Sequence, residues 1–233
     1  MENYSPLQNA ALWLGAWLYG HVPTDSVIES FHELGLPISI DILKEIRAAA
    51  DLEKVTLEPV LQLILSGPGE PSAYEPEEAI AIRGTDRWML IYFVDDSSTT
   101  DHTQLGWYAM TADMPLRAPA PMSPGEADLA LADAARAAAE YVERSGLAGP
   151  DLPQPRLTVG TLTDFFETPG IPAPIPIRAA RLLARADRLA AIVETVTERA
   201  DHHSFDPALL SLSSHIRHAR IAGVANAVAS FVR

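Results

Sequence analysis

Histidine and aspartate, the residue types that most often bind metals or carry protons, are concentrated in the stretch DHHSFDPALLSLSSHIRHARIAG, residues 201–223. It contains four of the chain's seven histidines: His202, His203, His215 and His218. His215 and His218 are three residues apart and would share a helix face, but the H-E-x-x-H pattern of a helical zinc pair is absent. If Asp206 caps the second helix, His215 lies about 13 Å along it, so the two histidine pairs do not converge. We therefore interpret the stretch as the polar surface of a helical hairpin, with a metal site as the less favoured alternative.

A second polar group lies in VDDSSTTDH, which places Asp95, Asp96, Asp101 and His102 in one loop. The loop lacks the alternating oxygen ligands and the later glutamate of a calcium site, and aspartate and serine at a strand end are typical of a turn. The glycines of SGPGEP, residues 66–71, do not have the spacing of a phosphate-binding loop, and no G-x-S-x-G serine elbow is present. The sequence predicts no catalytic residue, no bound metal and no cofactor.

Composition limits the classes of protein and partner. The 233 residues carry a formal net charge of −14, which opposes binding to nucleic acid and to anionic membranes. Hydrophobic residues make up 48% of the chain, enough for a substantial core. The N-terminal apolar run, Ala10–Tyr19, has about half the length of a membrane span and no positively charged segment before it. Because cysteine is also absent, we expect a cytoplasmic protein without disulfides.

Hydrophobic periodicity predicts an α+β fold. The first helix ends near Gly20 and is apolar almost all round, with Trp13 and Trp17 one turn apart, so we expect it in the core. Two more helices precede four strand-like runs, whose short links favour a four-stranded, mainly antiparallel sheet. A long alanine-rich helix and a C-terminal helical hairpin follow. We expect one compact unit over residues 1–233, with a possible sub-boundary near 146–175 and the hairpin over 176–233.

The hairpin has apolar residues at steps of three and four on both helices. The large residues of the first helix include Leu182, Leu189, Val193 and Val196. On the second helix, Ala219, Gly223 and Ala227 lie four residues apart and form a narrow strip of small side chains. Such a strip lets two helices approach closely, so we predict that Leu182, Leu189, Val193 and Val196 face it and that the first helix packs over Gly223.

Charge is divided unevenly along the chain. Residues 176–233 contain eight arginines and five acidic residues, a net charge of +3, whereas residues 1–175 carry a net charge of −17. Six arginines of the hairpin are candidates for contact with an anion or an acidic partner: Arg178, Arg181, Arg185, Arg188, Arg217 and Arg220. Guanidinium groups suit carboxylates and phosphates. The favoured interpretation is intramolecular: the hairpin docks on the acidic remainder of the chain and the arginine stems cover its edge.

Four blocks in a fixed order resemble an actinobacterial protein family of about this length. They are NAALWLGAWLYGHVPTDSVIESF, LQLILSGPGEP, IRAARLLARADRLAAIVETV and SHIRHARIAGVANAV. No activity and no catalytic residues are established for that family, so the resemblance implies no site residues.

Three functions remain open from the sequence. The first is a non-catalytic binding or adaptor protein that acts through protein–protein contacts, with a separate protein or a second copy of the chain as its partner. The second is an enzyme of unknown chemistry with a pocket between the sheet and the helices. The third is a regulator that binds an anion or nucleic acid through the arginines, which the acidic total disfavours.

Overall fold

The computed structural model describes residues 5–52, 59–67, 78–85, 88–94, 106–112, 122–145, 170–199 and 206–232. In this part of the chain the helices are α1 (Leu7–Leu18), α2 (Thr24–Glu33), α3 (Ile40–Ala49), α4 (Pro124–Ser145), α5 (Ile177–Arg199) and α6 (Asp206–Phe231). The strands are β1 (Leu61–Leu65), β2 (Glu78–Arg83), β3 (Trp88–Val94) and β4 (Gly106–Ala112). The predicted α+β fold is confirmed. Among the six described helices, none has the length and apolar composition that a bilayer-spanning helix requires.

The four strands form one antiparallel sheet in which each strand pairs with its neighbour in sequence, in the order β1-β2-β3-β4. Leu63 lies opposite Ile80, which in turn lies opposite Ile91. Because alternate residues of a strand point to opposite faces, these three residues share one face of the sheet. Helices α1 and α6 contact the sheet, and their apolar side chains join this face in one cluster.

The cluster between this sheet face and helices α1 to α3 is the first core. α1 is buried on almost every side, as its sequence predicts. Trp17 is buried, whereas Trp13 lies partly buried at the edge, where its Nε1 donates to the carbonyl oxygen of Gly170 at 3.2 Å. Arg47 of α3 donates to the carbonyl oxygens of Trp17 and Leu18, each at 3.0 Å. It thereby provides hydrogen-bond donors for the last carbonyl groups of α1, which have no partner within the helix itself. The sheet and the three N-terminal helices are therefore joined by apolar packing and by this polar cap.

A second core lies between α4, α5 and α6, toward the C-terminal end of α5 and the N-terminal end of α6. Its buried residues come from all three helices: Ala127, Leu131 and Ala138; Leu182, Ala186, Ala190, Ala191 and Val193; and Leu209, Leu212, Ile216, Ala219 and Ala222. The other ends of α5 and α6 belong to the first core, through Leu183 and Val228 among others. α5 and α6 therefore each contribute buried side chains to both cores.

Glycines mark the closest approaches to α6. A Cβ atom on Gly223 would lie 2.6 Å from Cδ2 of Leu183, and one on Gly15 would lie 3.1 Å from Cγ2 of Val228. Both distances are shorter than an ordinary carbon–carbon contact. The predicted close approach at Gly223 is confirmed, but the nearest side chain is Leu183 of α5 and not one of the predicted Leu182, Leu189, Val193 and Val196. α6 is therefore packed tightly against α1 on one side and α5 on another.

Candidate partner-binding face on α5

Helix α5 carries four exposed arginines on one face. Arg178, Arg181, Arg185 and Arg188 follow one another at steps of three, four and three residues, which keeps them on the same side of an α-helix. The side of α5 that faces the two cores carries Leu182, Leu183 and Ala186 instead. The packing of α5 therefore turns all four guanidinium groups toward solvent.

One of the four arginines has an ionic partner. Arg185 Nη1 lies 2.8 Å from Asp128 Oδ1 on α4, and both side chains are nearly half exposed. An exposed pair of this kind contributes below about 1 kcal/mol, so it does not commit Arg185 to an internal role. Within the described ranges, no carboxylate pairs with Arg178, Arg181 or Arg188.

Two isoleucines extend this basic stripe at its ends. Ile177 is 65% exposed and Ile192 is 37% exposed. They are 15 residues apart, about 22 Å along the helix. We call the set Ile177, Arg178, Arg181, Arg185, Arg188 and Ile192 the α5 face. Charge in the middle with an apolar residue at each end suits a protein surface better than a small ion, because apolar anchors supply much of the energy of protein contacts.

Arg220 does not lie on the α5 face. Its side chain is 2% exposed and its Nη2 donates to Asp187 Oδ1 at 2.9 Å. Gln8 of α1 donates from Nε2 to the other oxygen, Asp187 Oδ2, at 3.1 Å. Sequence spacing groups Arg220 with the exposed arginines, but the α6 face that bears it turns inward because α1 and α5 pack there. It belongs to a buried polar cluster between the two cores.

Burial governs the protonation of Asp187. It raises the pKa of the Asp187 carboxyl, and the Arg220 guanidinium and the Gln8 amide oppose part of that rise. Buried ion pairs recover little net stability, because both charges must leave water. We therefore expect this cluster to determine how α1, α5 and α6 are oriented relative to one another, without adding much net stability.

Arg217 also lies away from the α5 face. It is partly buried, and its guanidinium lies over Gly67 at the end of β1, where a Cβ would come within 2.7 Å of Nη1. Gly67 belongs to SGPGEP, whose spacing does not fit a phosphate-binding loop, and its lack of a side chain leaves room for the arginine. Residues 68–70 of that segment lie outside the described ranges.

The described histidines of the hairpin do not form a metal site. The ring centroids of His215 and His218 are 6.4 Å apart, and His215 Nδ1 lies 2.8 Å from the carbonyl oxygen of Ser211. No group of three or more His, Cys, Asp or Glu side chains in the described residues is placed to hold a metal ion. The candidates of the two loops lie outside the described residues: His202, His203, Asp95, Asp96, Asp101 and His102.

Sequence reasoning missed the buried cluster of Gln8 and Asp187. One signal was present, since Gln8 and Asn9 interrupt the otherwise apolar helix α1 and Asp187 follows directly after the core residue Ala186. A polar side chain at a core position needs a hydrogen-bond partner. Arg220, the partner of Asp187, lies 33 residues away on α6. The periodicity of a single helix cannot reveal a pair between two helices.

Two family models match the chain. The model of the N-terminal domain of the Rv1486c-like protein matches residues 8–123, and that of the C-terminal domain matches residues 125–221. The two matches meet between β4 and α4. No curated protein and no solved structure matches the chain.

Proposed function

This chain belongs to the Rv1486c-like family, and we propose that it is a non-catalytic binding protein that docks an acidic segment of a protein partner on the α5 face. The observation that carries the proposal is the row of exposed arginines at positions 178, 181, 185 and 188. An arginine fork binds a carboxylate through two parallel hydrogen bonds, so a row of forks favours a row of carboxylates.

The chemistry of the face favours protein over nucleic acid as the partner. A nucleic acid carries phosphates along its whole length, so it meets the chain's net charge of −14 far beyond the α5 face, whereas a short acidic segment meets mainly the arginines. Ile177 and Ile192 provide apolar anchors that protein interfaces use and phosphate backbones do not. The proposal places the protein in the cytoplasm, which the absence of cysteine supports.

The enzyme alternative receives less support from the described residues. The space between the sheet and the helices, where a pocket was expected, is filled by apolar side chains such as Leu14, Ile80 and Ile82. The polar cluster around Asp187 is enclosed between helices. In the described residues, neither place is an open pocket in which several polar side chains could contact one substrate.

The proposal is tested with an acidic peptide. A fluorescein-labelled helical peptide carries glutamates at the spacing of the four arginines and a leucine at each end, and binding is followed by fluorescence anisotropy. We expect binding that weakens with added salt, because exposed charges are screened. Arg181→Glu should weaken it by about tenfold or more, since like charges then meet at the interface.

A matched control separates a specific face from general charge. Lys44→Glu makes the same change in net charge on α3, at a side chain that is 72% exposed. It should change the affinity for the peptide less than about twofold, as screened charges far from an interface do. Equal losses for Arg181→Glu and Lys44→Glu, or no loss for either, would contradict the proposal.

A further inference from the structure

Helix α4 presents the opposite charge directly beside the α5 face. It contains five acidic residues and two arginines, a net charge of −3. Asp133, Glu140 and Glu143 are exposed on its outward side, where Leu129 is 64% exposed. The pair Arg185–Asp128 joins the two helices at their edges. One surface of the chain therefore holds an acidic helix and a basic helix side by side.

Asp133 and Glu140 of α4 could exchange their present arginine partners for arginines of another molecule. Asp133 pairs with Arg136 at 2.7 Å and Glu140 lies 3.9 Å from Arg144, both within the helix. All four side chains are more than half exposed. Exposed pairs of this kind are worth little, so a better-placed arginine from another molecule can replace either one.

We infer that the partner of the α5 face is a second copy of this chain, whose α4 supplies the carboxylates; this inference rests on the proposed function. A two-fold axis running between α4 and α5, along their length, places each basic helix opposite the acidic helix of the other copy. Such an interface is self-complementary, as closed dimers require. A two-fold axis across the helices would instead bring like charges together, which is disfavoured.

The size of the surface fits a dimer. The 22 residues of α4 extend about 33 Å. Two helices side by side are about 20 Å wide, so the surface covers roughly 650 Å² in projection. Stable interfaces bury on the order of 800 Å² of accessible surface on each partner. Because protruding side chains make the accessible area of a surface larger than its projected area, the α4–α5 surface is close to this size. Leu129, Ile177 and Ile192 are the exposed apolar residues that such contact would cover.

The inference is tested by a charge exchange between two variants of the full chain. The first variant is Arg181→Glu/Arg188→Glu, which makes both helices acidic. The second is Asp133→Arg/Glu140→Arg, which makes both basic. Sedimentation velocity at low salt measures the mass of the wild-type chain, of each variant and of their equimolar mixture.

We expect the wild-type chain to be a dimer that dissociates as salt is added, and each variant alone to associate at least about tenfold more weakly. Their mixture should form a heterodimer, because both halves of the mixed interface again pair acid with base. A monomeric wild-type chain, or variants that dimerise as well as the wild type, would overturn the inference. If the wild-type chain is monomeric but still binds the acidic peptide through Arg181, the proposed function stands and only the dimer is ruled out. If it binds neither the peptide nor a second copy, the proposed function and the dimer both fail.

Discussion

The two cores of the molecule are built from different side chains. In the first core, five of 28 buried residues are alanine, and Trp17, Phe31, Trp107 and Phe231 supply large aromatic surfaces. Of the 13 residues that the described part of the chain contributes to the second core, seven are alanine and none is aromatic. Each buried methylene contributes about 0.8 kcal/mol, so the second core gains less from each residue. Among the described residues, the buried side chains of α4 belong to the second core alone, so we expect α4 to be held less firmly than α5 and α6, which enter both cores.

The difference connects packing with the proposed function. Alanines let α4, α5 and α6 approach closely, but they leave the outward sides of α4 and α5 as a broad surface of charged and isolated apolar residues. The first core joins the sheet, α1 to α3 and the ends of the hairpin in one apolar cluster. We therefore expect the first core to supply most of the stability, whereas the proposed function uses the α4–α5 side.

One of the two largest effects is expected at the boundary between the cores. Asp187→Ala removes the carboxylate from Arg220 and leaves a buried charge without compensation, which should lower the free energy of unfolding by about 3–5 kcal/mol. Urea denaturation measures it. The control is Asp187→Leu/Arg220→Met, which removes both charges and should cost far less, because apolar pairs often replace buried ion pairs without loss. If the double variant is as unstable as the single one, packing rather than charge explains the loss.

Matched leucine truncations compare the cores directly. Leu14 of α1 and Leu131 of α4 are both fully buried. Leu14→Ala should cost about 4–5 kcal/mol, because α1 is enclosed by rigid neighbours and the cavity persists. Leu131→Ala should cost about 2–3 kcal/mol, because α4 can shift inward and reduce the cavity. Equal costs in urea denaturation would show that the second core is as firmly packed as the first.

Gly223 tests the contact between α5 and α6. Gly223→Leu should cost about 1–3 kcal/mol or more, because its side chain would overlap Leu183. Gly223→Ala has a helix-propensity gain of up to about 1 kcal/mol, which the clash with Leu183 should cancel or reverse. Both changes are measured by thermal unfolding. A stable Gly223→Ala variant together with a tolerated Gly223→Leu would mean that the helices do not approach closely there.

These residues also show what could be predicted from the sequence. The fold class, the burial of α1 and the close approach at Gly223 follow from periodicity within single elements. The family resemblance, confirmed by both family models, follows from the order of the four blocks. The inward position of Arg220 could not be predicted, because it depends on Gln8 and Asp187 from two other helices. For the same reason, the sequence did not indicate that Gly67 makes room for Arg217, which lies on another element.

A smaller effect is expected from the titration of Asp187. Its pKa is raised in the folded state, so this carboxyl adds to stability below its unfolded pKa and loses that contribution as the pH rises through the folded pKa. The stability of the wild-type chain relative to Asp187→Asn, which cannot titrate, should therefore fall as the pH rises from about 4. Urea denaturation of both proteins across this range gives the difference. A difference that rises with pH would indicate a lowered pKa.

The smallest expected effect tests the central claim, that the arginines of the α5 face serve binding and not folding. The triple variant Arg178→Gln/Arg181→Gln/Arg188→Gln keeps the long side chains but removes their charge. In dilute protein at high salt, where association is suppressed, its free energy of unfolding should lie within about 0.5 kcal/mol of the wild-type value, as for other surface substitutions. A loss above about 2 kcal/mol would show that these arginines hold the chain's own acidic residues, and the α5 face would then be part of the fold instead of a binding surface.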